Sequence, residues 1–145
     1  MINILNVGSK NVMKRILIIE DEPDFRKILA SEFRKAGFEI ILASDGKQGI
    51  IESVKSKPDF ILLDLIMPGM NGTSFLRHFT QIDNLKEIPV AVLTVVPEDV
   101  PQKLQGSDLF KNIVGYWVKD KMTITELIKL VKDYLNIDLT FVNRN

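Results

Sequence analysis

The chain contains no cysteine. That excludes a disulfide framework, a cysteine-ligated zinc, an iron–sulfur cluster and a thiol nucleophile. It has one histidine, His78, so multi-histidine metal sites are excluded and a Ser-His-Asp triad has little to build on. There is no excess of charge of either sign: Lys plus Arg total 19, Asp plus Glu total 19, and the net is zero. A general binder of nucleic acid or of a membrane surface needs a cationic excess that is missing here. No apolar run approaches the roughly 20 residues that span a bilayer. The opening segment MINILNVGSKNVMK lacks a long apolar stretch and a small-residue cleavage site, so it is not read as a secretory signal. The expected setting is reduced and cytoplasmic, without membrane insertion. Chemistry is left to carboxylates, hydroxyls, lysines and a bound cation.

What is present is ordinary globular material: 145 residues, 46% hydrophobic and 26% charged, enough for one domain. Residues 1–13 have no clean period and read as an extension. Residues 136–145 follow an amphipathic helix and read as a tail, leaving a core over 14–135. Within it, short apolar runs alternate with helical patterns. RILIIE (15–20), FEIILA (38–43), DFILLD (59–64), PVAVLT (89–94) and VGYWV (114–118) read as buried strands. Pro23 opens a first helix with Phe25, Ile28, Leu29, Phe33 and Ala36 as its apolar face, and Gly37 stops it. Ser44-Asp45-Gly46 opens a second, with Ile50, Ile51 and Val54 on one face, and Pro58 ends it. A third carries Phe75, Leu76, Phe79 and Ile82, a short fourth is expected within 97–112, and Thr123–Leu135 forms the last. His78 falls in the third helix, where a surface or packing role is expected. Five strands alternating with five helices imply a parallel sheet covered on both faces. Ligands of such sheets sit past the carboxyl ends of the strands.

Those ends carry a distinctive set. Strand one ends in Glu20-Asp21, strand three in Asp64, strand four in Thr94 and strand five at Lys119. Three carboxylates brought together repel, so they take up a proton or recruit a cation. Oxygen-only ligands select a hard cation, and Mg²⁺ fits, with Mn²⁺ as the substitute. A lysine and a hydroxyl beside it suit a transferred phosphoryl group, and a carboxylate can itself become an aspartyl phosphate.

In these segments the sequence resembles the receiver domain of two-component response regulators, a CheY-like family. Ile18-Ile19-Glu20-Asp21-Glu22-Pro23 resembles its acidic-pair turn. Asp64 to Gly72, DLIMPGMNG, matches its D-x-x-M-P-x-M-x-G loop at every fixed position. Ala91-Val92-Leu93-Thr94 is similar to the strand ending in its switch hydroxyl, and Tyr116-Trp117-Val118-Lys119 to its aromatic-x-x-Lys. The resemblance covers roughly 14–135. It implies a three-layer α/β/α flavodoxin-like (βα)5 fold with strand order 2-1-3-4-5. It implies that Asp64 is the phosphoacceptor, that Asp21, Asp64 and the carbonyl of Ile66 hold Mg²⁺ with Glu20 acting mostly through water, that Thr94 and Lys119 contact the phosphoryl oxygens, and that Tyr116 is an aromatic switch. The implied donor is a sensor histidine kinase or a histidine phosphotransfer protein. The implied output is contact with a downstream protein through the helix expected over 97–112, strand five and the last helix. The implied protein is a stand-alone receiver, a monomer or weak dimer without direct nucleic-acid contact and without enzymatic turnover beyond its own phosphorylation and dephosphorylation.

Several departures stand out. Asp120 follows Lys119 where the family usually has proline, so a trans Lys119–Asp120 bond is expected, with Asp120 placed to pair with the lysine. Val95 replaces a small residue. Ile66 and Val96, two residues beyond the acceptor and the switch hydroxyl, are apolar and expected to slow attack by water. Before strand five, Lys111-Asn112-Ile113-Val114 replaces the family's small-Gly-acidic turn, which alters the usual output face. The missing proline and this altered face motivate an alternative, a receiver-like adaptor that works without phosphorylation. A flavin or nucleotide enzyme on the same fold fits poorly, because no glycine-rich phosphate loop follows strand one.

Overall fold

Runs of Ile, Leu and Val too short for helices, punctuated by Gly, Pro and Asp, give strands of five or six residues in the computed structural model. It describes residues 13–67, 71–94 and 111–136. The elements are β1 (Arg15–Ile19), α1 (Pro23–Lys35), β2 (Glu39–Ala43), α2 (Gly46–Ser56), β3 (Phe60–Asp64), α3 (Gly72–Phe79), β4 (Val90–Thr94), β5 (Ile113–Val118) and α4 (Ile124–Tyr134). The helix expected within 97–112 falls outside the described residues except for Lys111 and Asn112, which form a turn. Val95 and Val96 also lie outside the described residues.

The sheet is wholly parallel, in the order β2-β1-β3-β4-β5. Its central strands β3 and β4 are buried along their whole length, as strands covered on both faces must be. One face packs Leu17, Ile19, Ile61, Leu63, Val90 and Val92 against Phe75, Leu76 and Phe79 of α3. The other packs Ile16, Ile18, Phe60, Leu62 and Trp117 against Leu29 and Phe33 of α1 and Leu127 and Val131 of α4.

Each helix starts on a side chain that accepts an otherwise unpaired backbone N–H. Glu22 accepts from Asp24 and Phe25, Asp45 from Gln48, Asn71 from Ser74, and Thr123 forms a reciprocal capping box with Glu126. Gly37 leaves α1 at φ 100°, a conformation that favours glycine.

Three apolar residues lie elsewhere than expected. Ile28 of α1 is exposed, and so are Ile51 and Val54 of α2, at 54% and 52%. The buried face of α2 is Gly46, Gly49 and Ser53 instead. The cause is close approach: a Cβ on Gly49 would lie 2.6 Å from Ile19 Cδ1, so only small residues fit between α2 and β1. Ser53 meets the burial by donating its hydroxyl to the Gly49 carbonyl at 2.7 Å. In α4, Leu130 and Tyr134 are exposed while Leu127 and Val131 carry the packing. Ile82 lies past the end of α3 and is half-buried.

Candidate functional site

Parallel register brings the carboxyl ends of β1, β3, β4 and β5 to one edge. Glu20 follows β1 and is fully buried, its N–H tied to the Ala43 carbonyl of β2 at 3.0 Å. Asp64 is the last residue of β3 and is also buried. Thr94 ends β4, buried beside them. Lys119 follows β5, and its N–H donates to the Thr94 carbonyl at 2.8 Å. A ligand oxygen from each of Glu20, Asp21 and Asp64 lies within 4.8 Å of the others.

Lys119 joins the cluster from the far side. Its ammonium donates to Glu20 Oε1 at 2.5 Å and to Asp64 Oδ2 at 3.1 Å, and it lies 5.0 Å from the centre of the Phe25 ring. The other oxygen of each carboxylate accepts from the backbone: Glu20 Oε2 from Glu22 N–H at 3.2 Å, Asp64 Oδ1 from Ile66 N–H at 3.0 Å. The lysine and a backbone N–H thus share the Glu20 carboxylate between them. Asp120, by contrast, is exposed, and the carboxylates that pair with Lys119 are Glu20 and Asp64. The Lys119–Asp120 bond is trans.

Burial disfavours the charged form of Glu20 and lifts its pKa to about 7; the Lys119 hydrogen bond opposes this, and the neighbouring Asp64 adds to it. Burial also works against the charge of Lys119, but the hydrogen bond and charge of Glu20, with those of Asp64, outweigh it and hold the ammonium above its usual value. Tyr116 is 37% exposed on β5, and partial burial raises its hydroxyl above the ordinary phenol. The Ile66 side chain is 58% exposed at the rim.

Two further residues serve the site and were not singled out for it in the sequence. Arg26 donates from Nη1 to the Glu20 carbonyl at 2.8 Å and to the Asp21 carbonyl at 3.4 Å, clamping the acidic turn onto α1. Phe25 reads as a core residue by its helical spacing, yet its ring faces the lysine. Both sit one turn beyond the acidic pair, and that position is the only signal the sequence offers. His78 is exposed, with Nδ1 on the Ser74 carbonyl at 2.8 Å, away from this edge. A cleft of about 820 Å³ opens at the opposite edge, among Arg77, Lys86, Asn112 and Tyr134, and contains none of the carboxylate cluster.

The sequence profile of the response regulator receiver domain matches residues 16–132. The chain belongs to the response regulator receiver family. This receiver is 33% identical over 98 residues to Protein PilH of Pseudomonas aeruginosa, a match covering 66% of the chain and 81% of PilH. It is 35% identical to the phosphate regulon regulator PhoB of the same organism over 68% of the chain, but that match spans only 42% of PhoB. Among solved structures, the chemotaxis response regulator CheY4 of Vibrio cholerae superposes with a TM-score of 0.73 at 27% identity, covering 84% of this chain and 98% of CheY4. TrrA of Thermotoga maritima, solved in complex with Mg²⁺ and BeF, superposes with a TM-score of 0.69 at 27% identity, covering 83% of this chain and 98% of TrrA. The receiver thus has the CheY-like fold of a signalling domain. Its acidic cluster fits a divalent cation on its own chemistry, three carboxylates at close range with oxygen donors only. No helix among the described residues is long and apolar enough to cross a membrane.

Proposed function

We propose that this receiver accepts a phosphoryl group on Asp64 from a histidine kinase or a histidine phosphotransfer protein and signals by protein–protein contact. The observation that carries this reading is the Asp64 carboxylate, buried at a strand end, bound to Lys119 at 3.1 Å and grouped with Glu20 and Asp21. An Asp64 oxygen attacks phosphorus; the phosphorus–nitrogen bond of a phosphohistidine breaks, and its electron pair returns to the imidazole nitrogen, which takes up a proton. Asp21, Asp64 and the Ile66 carbonyl would hold Mg²⁺, with Glu20 acting mostly through water. When bound, the ion would supply positive charge to offset that on the phosphoryl oxygens. Lys119 supplies a second positive charge and Thr94 a hydroxyl donor.

Phosphorylation exchanges one negative charge for about two and adds strong acceptors. Thr94 then turns toward the phosphoryl group and Tyr116 follows inward from its half-exposed position. One hydrogen bond contributes roughly 0.5–3 kcal/mol, and moving an equilibrium from 1:99 to 99:1 needs about 5.5 kcal/mol. Phosphorylation therefore shifts the population in part, and a downstream protein on the β5–α4 face completes it. The exposed Ile66 side chain, at 58%, shields the acyl phosphate from water and lengthens its life; a lifetime of seconds contradicts that shielding.

The test is to incubate the protein with Mg²⁺ and acetyl phosphate or a histidine-kinase domain and to weigh it. Expected is the gain of one phosphoryl group, abolished by Asp64→Asn and by chelation of Mg²⁺. No gain with any donor overturns the reading and favours a phosphorylation-independent adaptor, for which Asp120 after Lys119 is the motivating residue.

A further inference from the structure

The ammonium of Lys119 touches two carboxylates and one aromatic ring, and these partners differ in kind. Glu20 and Asp64 change their pull on the lysine whenever either takes up a proton, a cation or a phosphoryl group. The face of the Phe25 ring does not change. The ring is also well anchored. Phe25 N–H donates to the Glu22 carboxylate at 2.5 Å, and the next residue, Arg26, ties the same turn to the Glu20 and Asp21 carbonyls. Ring and acidic turn are one piece. On the other side, the lysine backbone is fixed by Thr94, and N–H groups of Lys121 and Met122 close a turn on the Val118 carbonyl at 3.0 and 3.2 Å. The lysine side chain, 19% exposed, reaches from one piece to the other. A cation this poorly hydrated is held more strongly by an aromatic face than one at the open surface.

We infer that Phe25 is a positioning residue for phosphoryl transfer: its ring seats the Lys119 ammonium beside Asp64 when the carboxylates are otherwise engaged. This rests on the phosphoacceptor reading of Asp64. The ring acts through its electron-rich face, a property separable from its bulk, because leucine occupies the same half-buried position without a quadrupole and fluorination drains the face without changing the shape much.

The test replaces Phe25 in the full chain by 4-fluoro- and 3,4,5-trifluorophenylalanine and by leucine, and measures the initial rate of Asp64 phosphorylation by acetyl phosphate with saturating Mg²⁺. The rate is expected to fall stepwise with fluorination, by about 3- to 10-fold for the trifluoro and leucine variants. The thermal midpoint of the fluorinated series stays level, and the decline vanishes in a Lys119→Ala background. In the metal-free protein, NMR shows the Lys119 side-chain protons shifted by the ring, and Phe25→Leu removes that shift. A flat fluorination series on a wild type that is phosphorylated overturns this proposal alone, as does an equal decline without Lys119. A wild type that no donor phosphorylates overturns the phosphoacceptor reading, and this one with it.

Discussion

Two groups, each with one basic residue and two carboxylates, sit at opposite edges of the sheet and share strands β1 and β3. At the amino edge, Arg15 donates Nε to Glu39 at 3.0 Å and its backbone N–H to Asp59 at 2.8 Å. Both side chains of that ion pair are about half exposed, at 49% and 51%. At the carboxyl edge, Lys119 meets Glu20 and Asp64 with both acids buried. The composition is nearly the same and the physics is not. Water screens the first group, so it joins neighbouring strand ends at little gain. In the second both acids are out of water, and a charge on either is viable only with a partner. Burying it yields little stability and leaves groups that a cation or phosphoryl group can rearrange.

The comparison is broken most severely by removing one cation at a time. Lys119→Ala leaves two buried carboxylates without their ammonium and is expected to destabilise the metal-free protein by about 3 kcal/mol. Urea unfolding at neutral pH measures this, and acidification restores part of the loss. Arg15→Ala, measured alongside, costs less than about 1 kcal/mol. Equal losses at the two edges contradict the contrast.

Gly72→Ala tests whether the Asp64 loop is as closely packed as the charges above it. A Cβ there would lie 2.5 Å from the Leu65 Cα and 2.8 Å from the Asp64 carbonyl, with little room to yield. A loss of about 1–3 kcal/mol is expected, again by urea unfolding.

Titration sharpens the contrast further. Glu20 has a pKa of about 7 in the folded protein against an ordinary value of 4.5, so the folded state keeps a proton that the unfolded state releases. Its stabilising contribution is complete below about 4.5 and is lost as the pH rises to about 7. Metal-free unfolding curves are expected to show this decline, and Glu20→Gln to flatten it. For the same reason Mg²⁺ affinity, read by calorimetry, rises with pH toward 7 and loses that dependence in Glu20→Gln. A pH-independent affinity in the wild type contradicts a protonated Glu20. The smallest effect is salt: added chloride weakens the Arg15–Glu39 pair and leaves the buried cluster's contribution almost unchanged.

Much of this was legible in the sequence because strand ends are. Glu20, Asp64, Thr94 and Lys119 each follow an apolar run, and parallel order does the rest, bringing all four to one edge. The missing proline after Lys119 was equally legible as an ordinary trans bond. What escaped was set by distance between elements. Ile51 and Val54 looked like the packing face of α2, yet the helix lies so close to β1 that glycines take it. Spacing of small residues, Gly46, Gly49 and Ser53, was the weaker signal and the true one. Arg26 and Phe25 escaped because their partners, two carbonyls and a lysine at the far end of the chain, have no sequence signature.

The Lys119–Glu20 contact joins residues 99 positions apart. A contact of that span requires a long loop to close before it forms. A chain still emerging during synthesis, or cut before β5, can present Asp64 without the lysine that serves it. On the phosphoacceptor reading, competence to receive a signal is thus tied to completion of the fold.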